Sequence, residues 1–483
     1  MHTPENQLMT DHAYLGGRWV EASDGKTREV EDPATEKTIG KVPQLTEDQL
    51  GEAIDAASQA FERWRDTPAL ERADALMAWY QAMQDNAEAL ARLMTLEQGK
   101  PLAEARGEVD YAASFLRWFA GQARRIAGDT LASDDPDISL GTLRQPVGVV
   151  AIITPWNFPL AMITRKVGAA LAAGCTTLVN PASQTPFCAL ALARLAEQAG
   201  LNRGEFNVLT CPGKRFSEKV CDDNRVRALS FTGSTEVGRT LLAQAADTVK
   251  RSAMELGGNA PFIVCEDADL DAAVEGAIAA RFQTSGQDCV AANRLFVHRS
   301  LYDTFIERFT QRMNDMPVGN GFDEDSKIGP LINRDAVAKA RELVEDARSR
   351  GARVLGRGQD QAPGPRFFMP TLVADFTDDM RIASEESFAP LAPVRAFDSD
   401  DEAIAAANDT VYGLAAYVYA KDQQRIRRYQ QRLEVGMVGT NTMDITGPQV
   451  PFGGVKQSGL GREGGLEGME EYLETKYLCT AHG

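Results

Sequence analysis

The stretch SGQDCVAANR, residues 285–294, sets one cysteine after a Gly-Gln-Asp turn and just ahead of an apolar run. Cys289 is therefore a candidate nucleophile, provided another group can take its proton. Of the four histidines, His2, His12 and His482 lie close to the ends, where chains fray, so a Cys-His pair could draw only on His298. Carboxylates are the better candidates for a base. In MELGG, residues 254–258, Glu255 stands between apolar neighbours where a strand pattern ends, a setting that raises a carboxyl pKa towards neutrality. In PWNFP, residues 155–159, Asn157 is held between two prolines, which suits a rigid amide aimed at a developing oxyanion.

Each feature has a plainer alternative. A free cysteine is most often a small buried hydrophobe, Glu255 could cap a helix or sit on the surface, and PWNFP could be a surface turn. FTGSTEVG, residues 231–238, follows the strand pattern VRALSF and opens a helix. Its first-turn N–H groups could receive a phosphate, or Ser234 could simply cap that helix. GLGREG, residues 459–464, spells GxGxxG, but no β-branched run leads into it and only 19 residues follow. It reads as a flexible or tight loop rather than a dinucleotide site.

These residues need elements to position them. Residues 46–129 carry apolar positions three and four apart, the period of helices, with Gly99 and Pro101 closing one of them. From 147 onwards, VGVVAII, TTLVN, FNVLT and VRALSF alternate with Ala/Leu-rich amphipathic segments, the pattern of βαβ units around a parallel sheet. A second α/β series starts near 260 with PFIV and RLFVH and ends with YGLAAYVYA and GMVGTN. GFDEDSKIGP and GQDQAPGPRFF are loops.

Composition narrows the partners. With 51 basic against 69 acidic residues the net charge is -18, which repels nucleic acid and anionic membrane surfaces. The apolar run at 147–163 is broken by Pro155, Asn157 and Pro159 and is too short to span a bilayer. Seven scattered cysteines without a CxxC pair indicate neither a disulfide framework nor a zinc site, so no metal is expected and a reducing, cytoplasmic compartment fits best. The start MHTPENQLMT does not read as a signal peptide.

Taken in order, PWNFPLAMITRK, FTGSTEVG, MELGGNAPFIV, GQDCVAANR and EESFAP resemble the aldehyde dehydrogenase superfamily, and most of all its succinate-semialdehyde-dehydrogenase-like branch. The likeness runs from GGRW at 16–19 to EEYLETKYLC at 470–479. It implies a Rossmann-like NAD(P)-binding domain over 11–125 and 146–255 and an α/β catalytic domain over 256–445. A small β oligomerisation arm over 126–145 and 466–483 implies a homo-oligomer, dimer or tetramer. It also implies that Cys289 attacks an aldehyde, that Asn157 and the Cys289 N–H hold the oxyanion, and that Glu255 activates water against the resulting thioester. Lys166 matches a cofactor-ribose contact, Glu386 and Phe388 the residues around the nicotinamide ribose, Trp156 an adenine-side contact, and Gly233 and Ser234 the pyrophosphate turn.

Some positions depart from that pattern. Asn180 stands where the family has a lysine near the adenosine ribose, and Ser183 where many NAD-specific members have a glutamate. The first change disfavours NADP and the second leaves room for its phosphate, so the balance tips only slightly to NAD. For the substrate's far carboxylate, Arg165 matches one of two family arginines, Gln283 replaces the other, and Thr446 keeps one hydroxyl nearby. Ala389 replaces a glycine in EESFAP, and Val290 and Ala291 leave the nucleophile without a neighbouring thiol. Succinate semialdehyde is the best-matched substrate, with glutarate semialdehyde or a general aldehyde as alternatives. A thiol esterase or a non-catalytic protein on this fold are readings of a different class.

Overall fold

A computed structural model describes residues 7–482; His2 and Gly483, the last residue of the expected arm, lie outside them. The helical N-terminal region begins with a reciprocal cap. The Thr46 side chain accepts from the Gln49 N–H while the Gln49 side chain accepts from the Thr46 N–H, and the helix Glu47–Trp64 follows. Its stripe of Leu50, Ala53, Ile54, Ala57 and Ala60 is buried at the three-and-four spacing visible in the sequence. Helices Ala69–Asp85, Ala87–Gln98 and Leu102–Ala123 continue the layer, with Gly99 as the C-cap of Ala87–Gln98.

Five parallel strands form the centre of the first sheet, in the order 251–255, 226–232, 149–153, 176–180, 206–208. The chain lays down 149–153, 176–180 and 206–208 in one direction, then returns to add 226–232 and 251–255 on the other side. This reversal makes a topological switch point between 149–153 and 226–232, and in open α/β sheets ligands bind beyond the carboxyl ends of the strands at such a point. Trp156 and Asn157 follow one flanking strand, and Gly233 and Ser234 follow the other.

The second sheet has seven strands over 353–355, 371–374, 391–397, 292–298, 260–264, 415–419 and 437–440, parallel except at the first edge. The third pairs Leu473–Ala481 antiparallel with Ile138–Pro146, joined by Thr130–Leu131. Helices Arg334–Ser349, Asp400–Asn408 and Gln423–Arg432 were not anticipated; the first and last are strongly polar, the second is only nine residues long, and each is announced mainly by its cap, Asn333, Ser399 or Asp422. No helix among the described residues is long and apolar enough to cross a membrane.

GLGREG is more than a loop. Gly459–Leu460 is an edge strand paired antiparallel with Met254–Glu255. Gly459 has φ 139°, and a Cβ there would meet the Met254 carbonyl oxygen at 2.0 Å, so only glycine allows this approach.

Candidate active site

Cys289 reaches the site through a turn held in an unusual backbone state. After the helix Leu270–Phe282, Thr284, Ser285 and Gly286 take φ values of 48°, 57° and 74°, three successive left-handed residues. Glycine takes this state freely, but for Thr284 and Ser285 it costs on the order of 1–3 kcal/mol each and persists only where the surroundings over-determine it. Here the surroundings do. Glu104 Oε2 accepts from the Thr284 N–H at 2.9 Å, Ser285 Oγ accepts from the Gly329 N–H at 2.9 Å, and Gln287 Oε1 accepts from the Ile332 N–H at 2.9 Å. The buried Arg281 guanidinium donates to the carbonyls of Gly286 and Ala389 and to Asn293 Oδ1. A Cβ at 286 would meet Ala389 O at 2.5 Å.

Cys289 itself is half-buried and lines a cavity of about 580 Å³. Burial pushes its thiol pKa well up, the nearby Glu255 and Asp288 push it further, and Arg165 opposes them. Glu255 closes the strand Arg251–Glu255, and neither of its carboxyl oxygens has a hydrogen-bond partner among the described residues. Burial raises its pKa to about 8, with Arg165 and Lys166 pulling down and Glu463 pushing up; the Cys289 thiol makes only a weak stabilising contact. An unbonded, buried carboxyl that titrates near 8 is the environment of a general base. Asn157 Nδ2 donates to the Gln287 carbonyl at 3.0 Å, which fixes the amide beside the Cys289 turn and leaves its second N–H unused. Lys100 Nζ donates to the Asn157 carbonyl at 2.8 Å from the other side.

The two adjacent cations of the TRK motif correct the sequence reading. Lys166 is fully buried, donates to Glu463 and lies 3.1 Å from Ser230 Oγ, so its ammonium is committed inside the protein and not offered to a ribose. Arg165 Nε lies 2.6 Å from Glu463 Oε2, out of line for a hydrogen bond, and its guanidinium stacks on Phe452 at 4.1 Å. Burial works against the Arg165 cation, but Glu463, Tyr111 and Glu255 more than offset it. Arg165 lines the cavity with Gln283 and Thr446, as the sequence expects, yet its charge is already compensated. Burial would raise the Glu463 carboxyl too, but Lys166 and Arg165 hold it below the ordinary range. Sequence reasoning misses Glu463 because it sits inside GLGREG, whose spacing and flanks speak only of a nucleotide motif or a loop. The available signal was indirect: two adjacent cations in the apolar helix Ala161–Ala173 require a buried anion from elsewhere.

The remaining cofactor candidates divide. Ser234 caps the helix Thr235–Ala246 by accepting from the Val237 N–H at 3.4 Å, and the exposed helix start stands at the switch point, so capping and anion binding are compatible. A Cβ at Gly233 would meet the Phe231 ring at 2.5 Å, so the turn must stay bare. Glu386 Oε1 accepts from the Gly258 N–H at 3.1 Å, and burial raises its pKa to about 7. Trp156 and Phe388, expected at opposite ends of the cofactor, pack edge to face with ring centroids 5.6 Å apart, so the two belong to one end. Asn180 turns inward and donates to the carbonyls of Leu209 at 2.7 Å and Cys211 at 3.2 Å, which takes its amide away from any ribose; Ser183 stays half-buried beyond the strand end.

The aldehyde dehydrogenase family model matches residues 19–478. The chain belongs to the aldehyde dehydrogenase family. It is 55% identical to an aspartate-semialdehyde dehydrogenase (non-phosphorylating) of Halomonas elongata over 98% of this chain and 96% of that one. It is 50% identical to a succinate-semialdehyde dehydrogenase [NADP(+)] of Escherichia coli, over 99% of both chains. The crystal structure of an E. coli NADP-dependent enzyme superposes with a TM-score of 0.97 at 50% identity, covering 99% of both chains. This aldehyde dehydrogenase is an oxidoreductase that converts an aldehyde to a carboxylic acid with NAD(P), on an α/β fold with Rossmann-like and catalytic parts.

Proposed function

We propose that Cys289 is the nucleophile, Glu255 the hydrolytic base and Asn157 an oxyanion donor, and that the substrate is a four-carbon ω-semialdehyde, succinate semialdehyde in the first instance. The carrying observation is that Cys289 lines one cavity with Gln283, Thr446 and the exposed Lys327, with the unbonded Glu255 carboxyl beside the thiol. Cys289 Sγ gives up its proton to water as it adds to the aldehyde carbon, and the carbonyl oxygen gathers negative charge beside the spare Asn157 N–H. A bound nicotinamide cofactor supplies the hydride acceptor. Glu255 takes a proton from water, the hydroxide displaces Sγ from the thioester, and the acid leaves while Cys289 regains its proton.

The exposed helix start at Ser234, the bare turn at Gly233, Ser183, and the Glu386, Trp156 and Phe388 group support holding that cofactor. NAD is slightly favoured because position 180 carries no cation, while room at Ser183 keeps NADP within reach. Segments 126–145 and 466–483 would form the oligomerisation arm; Leu131, Leu143, Tyr477 and Leu478, exposed on the small antiparallel sheet, support a homodimer or homotetramer. Free thiols at all seven cysteines fit a cytoplasmic setting.

A second reading, aspartate semialdehyde, is favoured by the 55% identical relative of that name and by the neutral Gln283 on the cavity wall. Comparing kcat/KM for aspartate semialdehyde, succinate semialdehyde, glutarate semialdehyde and butanal, each with NAD and NADP, tests the proposal. Equal values for charged and neutral aldehydes would remove the ω-semialdehyde reading.

A further inference from the structure

Three cations line the cavity around Cys289: Lys100, Arg165 and Lys327. Two are spent. Lys100 is buried against Glu108 and the Asn157 carbonyl, and Arg165 against Glu463. Lys327 is exposed, comes from the loop before Ile328, and has no ion pair or side-chain hydrogen bond among the described residues.

The carboxylates on the same wall divide in the same way. Glu104 accepts from the Thr284 N–H, Glu108 from Lys100 and the Leu160 N–H, and Asp288 from the Val290 N–H. Asp444 alone keeps a free carboxylate. It is exposed, its backbone N–H donates to Thr442 Oγ1 at 3.0 Å, and its side chain has no partner among the described residues. Two residues further on, Thr446 adds its hydroxyl to the wall, and Gln283 adds an uncharged amide.

One free cation and one free anion on the wall of a single cavity match an α-amino acid head group, which carries both charges on one carbon. We infer that Lys327 takes the α-carboxylate and Asp444 the α-ammonium of an amino-acid ω-semialdehyde whose aldehyde end is presented to Cys289. This assignment rests on the ω-semialdehyde reading above and, within it, places the second substrate, aspartate semialdehyde, ahead of succinate semialdehyde. Attraction alone does not make the choice. A substrate with a lone carboxylate gains Lys327 but meets repulsion from Asp444, whereas the zwitterion is paired at both. Gln283 belongs to the same design, because an arginine there would repel the ammonium. The net charge of -18 also disfavours approach of an anionic aldehyde more than that of a zwitterion.

The test uses the full-length enzyme with saturating NAD or NADP and three four-carbon aldehydes: aspartate semialdehyde, succinate semialdehyde and butanal. Both side chains are exposed, so Lys327→Gln and Asp444→Asn leave the core alone. Lys327→Gln should raise KM for both charged aldehydes about fivefold to tenfold and leave KM for butanal and every kcat unchanged, the size of one partly exposed charge-assisted contact. Lys327→Arg should restore the wild-type values. Asp444→Asn should raise KM for aspartate semialdehyde by a similar factor and lower it for succinate semialdehyde. That opposite movement is what a structural role would not produce. The clamp is overturned if Asp444→Asn moves both charged substrates the same way, or if Lys327→Gln leaves the ratio of charged to neutral KM unchanged. Wild-type enzyme that does not distinguish either charged aldehyde from butanal brings down the underlying reading itself; a wild-type preference that survives in both variants brings down only the clamp.

Discussion

The floor and the mouth of the cavity are built on opposite terms. At the floor, nearly every charge is matched inside the protein: Glu463 by Arg165 and Lys166, Glu108 by Lys100, and the left-handed turn by Glu104 and Arg281. The exception is Glu255, whose carboxyl oxygens are unbonded. At the mouth, Lys327 and Asp444 are exposed and unmatched among the described residues. The difference teaches that reaction type is written in groups that cannot move, and substrate choice in groups that wait for a partner.

The floor breaks first. Cys289→Ala is expected to bring oxidation of every aldehyde below detection while NAD or NADP still binds, as followed by quenching of tryptophan fluorescence. Retained turnover would refute the nucleophile. Glu255→Gln should lower steady-state turnover by about 10²–10⁴-fold and spare the first burst of reduced cofactor, seen by stopped-flow absorbance. A burst lost to the same extent would move Glu255 from thioester hydrolysis to activation of the thiol.

Arg165→Ala probes the matched floor through stability. It leaves Lys166 alone to compensate Glu463 and is expected to cost about 3–5 kcal/mol in denaturant unfolding. KM should then shift alike for charged and neutral aldehydes; a shift confined to charged ones would return Arg165 to the substrate. A pH series sharpens the role of Glu255. Burial raises it to about 8, and only its carboxylate accepts a proton, so hydrolysis-limited kcat should rise with pH up to about 8 and level above it. A profile flat from pH 6 to 9 contradicts that role. The smallest effect belongs to the mouth. Gln283→Arg should improve KM for succinate semialdehyde relative to aspartate semialdehyde by about tenfold or less, the worth of one added charge-assisted contact.

The sheets and the family motifs were legible because they follow local rules. β-branched runs marked 149–153, 176–180 and 226–232, the period of three and four marked the first helices, and the motifs around Cys289, Glu255 and Asn157 lie in contiguous stretches. What escaped was pairing over distance. Nothing near Lys166 in the chain announces Glu463, 297 residues away, and the inward turn of Asn180 depends on carbonyls 29 and 31 residues ahead. Roles inferred for Lys166, Arg165 and Asn180 from their neighbours in sequence therefore gave way to partners in space. Lys327 and Asp444 drew no notice because a charge in a polar loop is ordinary until the cavity it faces is known.

The edge strand Gly459–Leu460 also sets a schedule. A chain made from its N-terminus carries Arg165 and Lys166 long before their counter-ion exists, because Glu463 is translated 297 residues after Lys166. Until then the helix Ala161–Ala173 has two adjacent cations with no anion to bury against. Final burial of that helix is thereby deferred until Glu463 has been made, and a chain released short of Glu463 is marked by an interior it cannot neutralise.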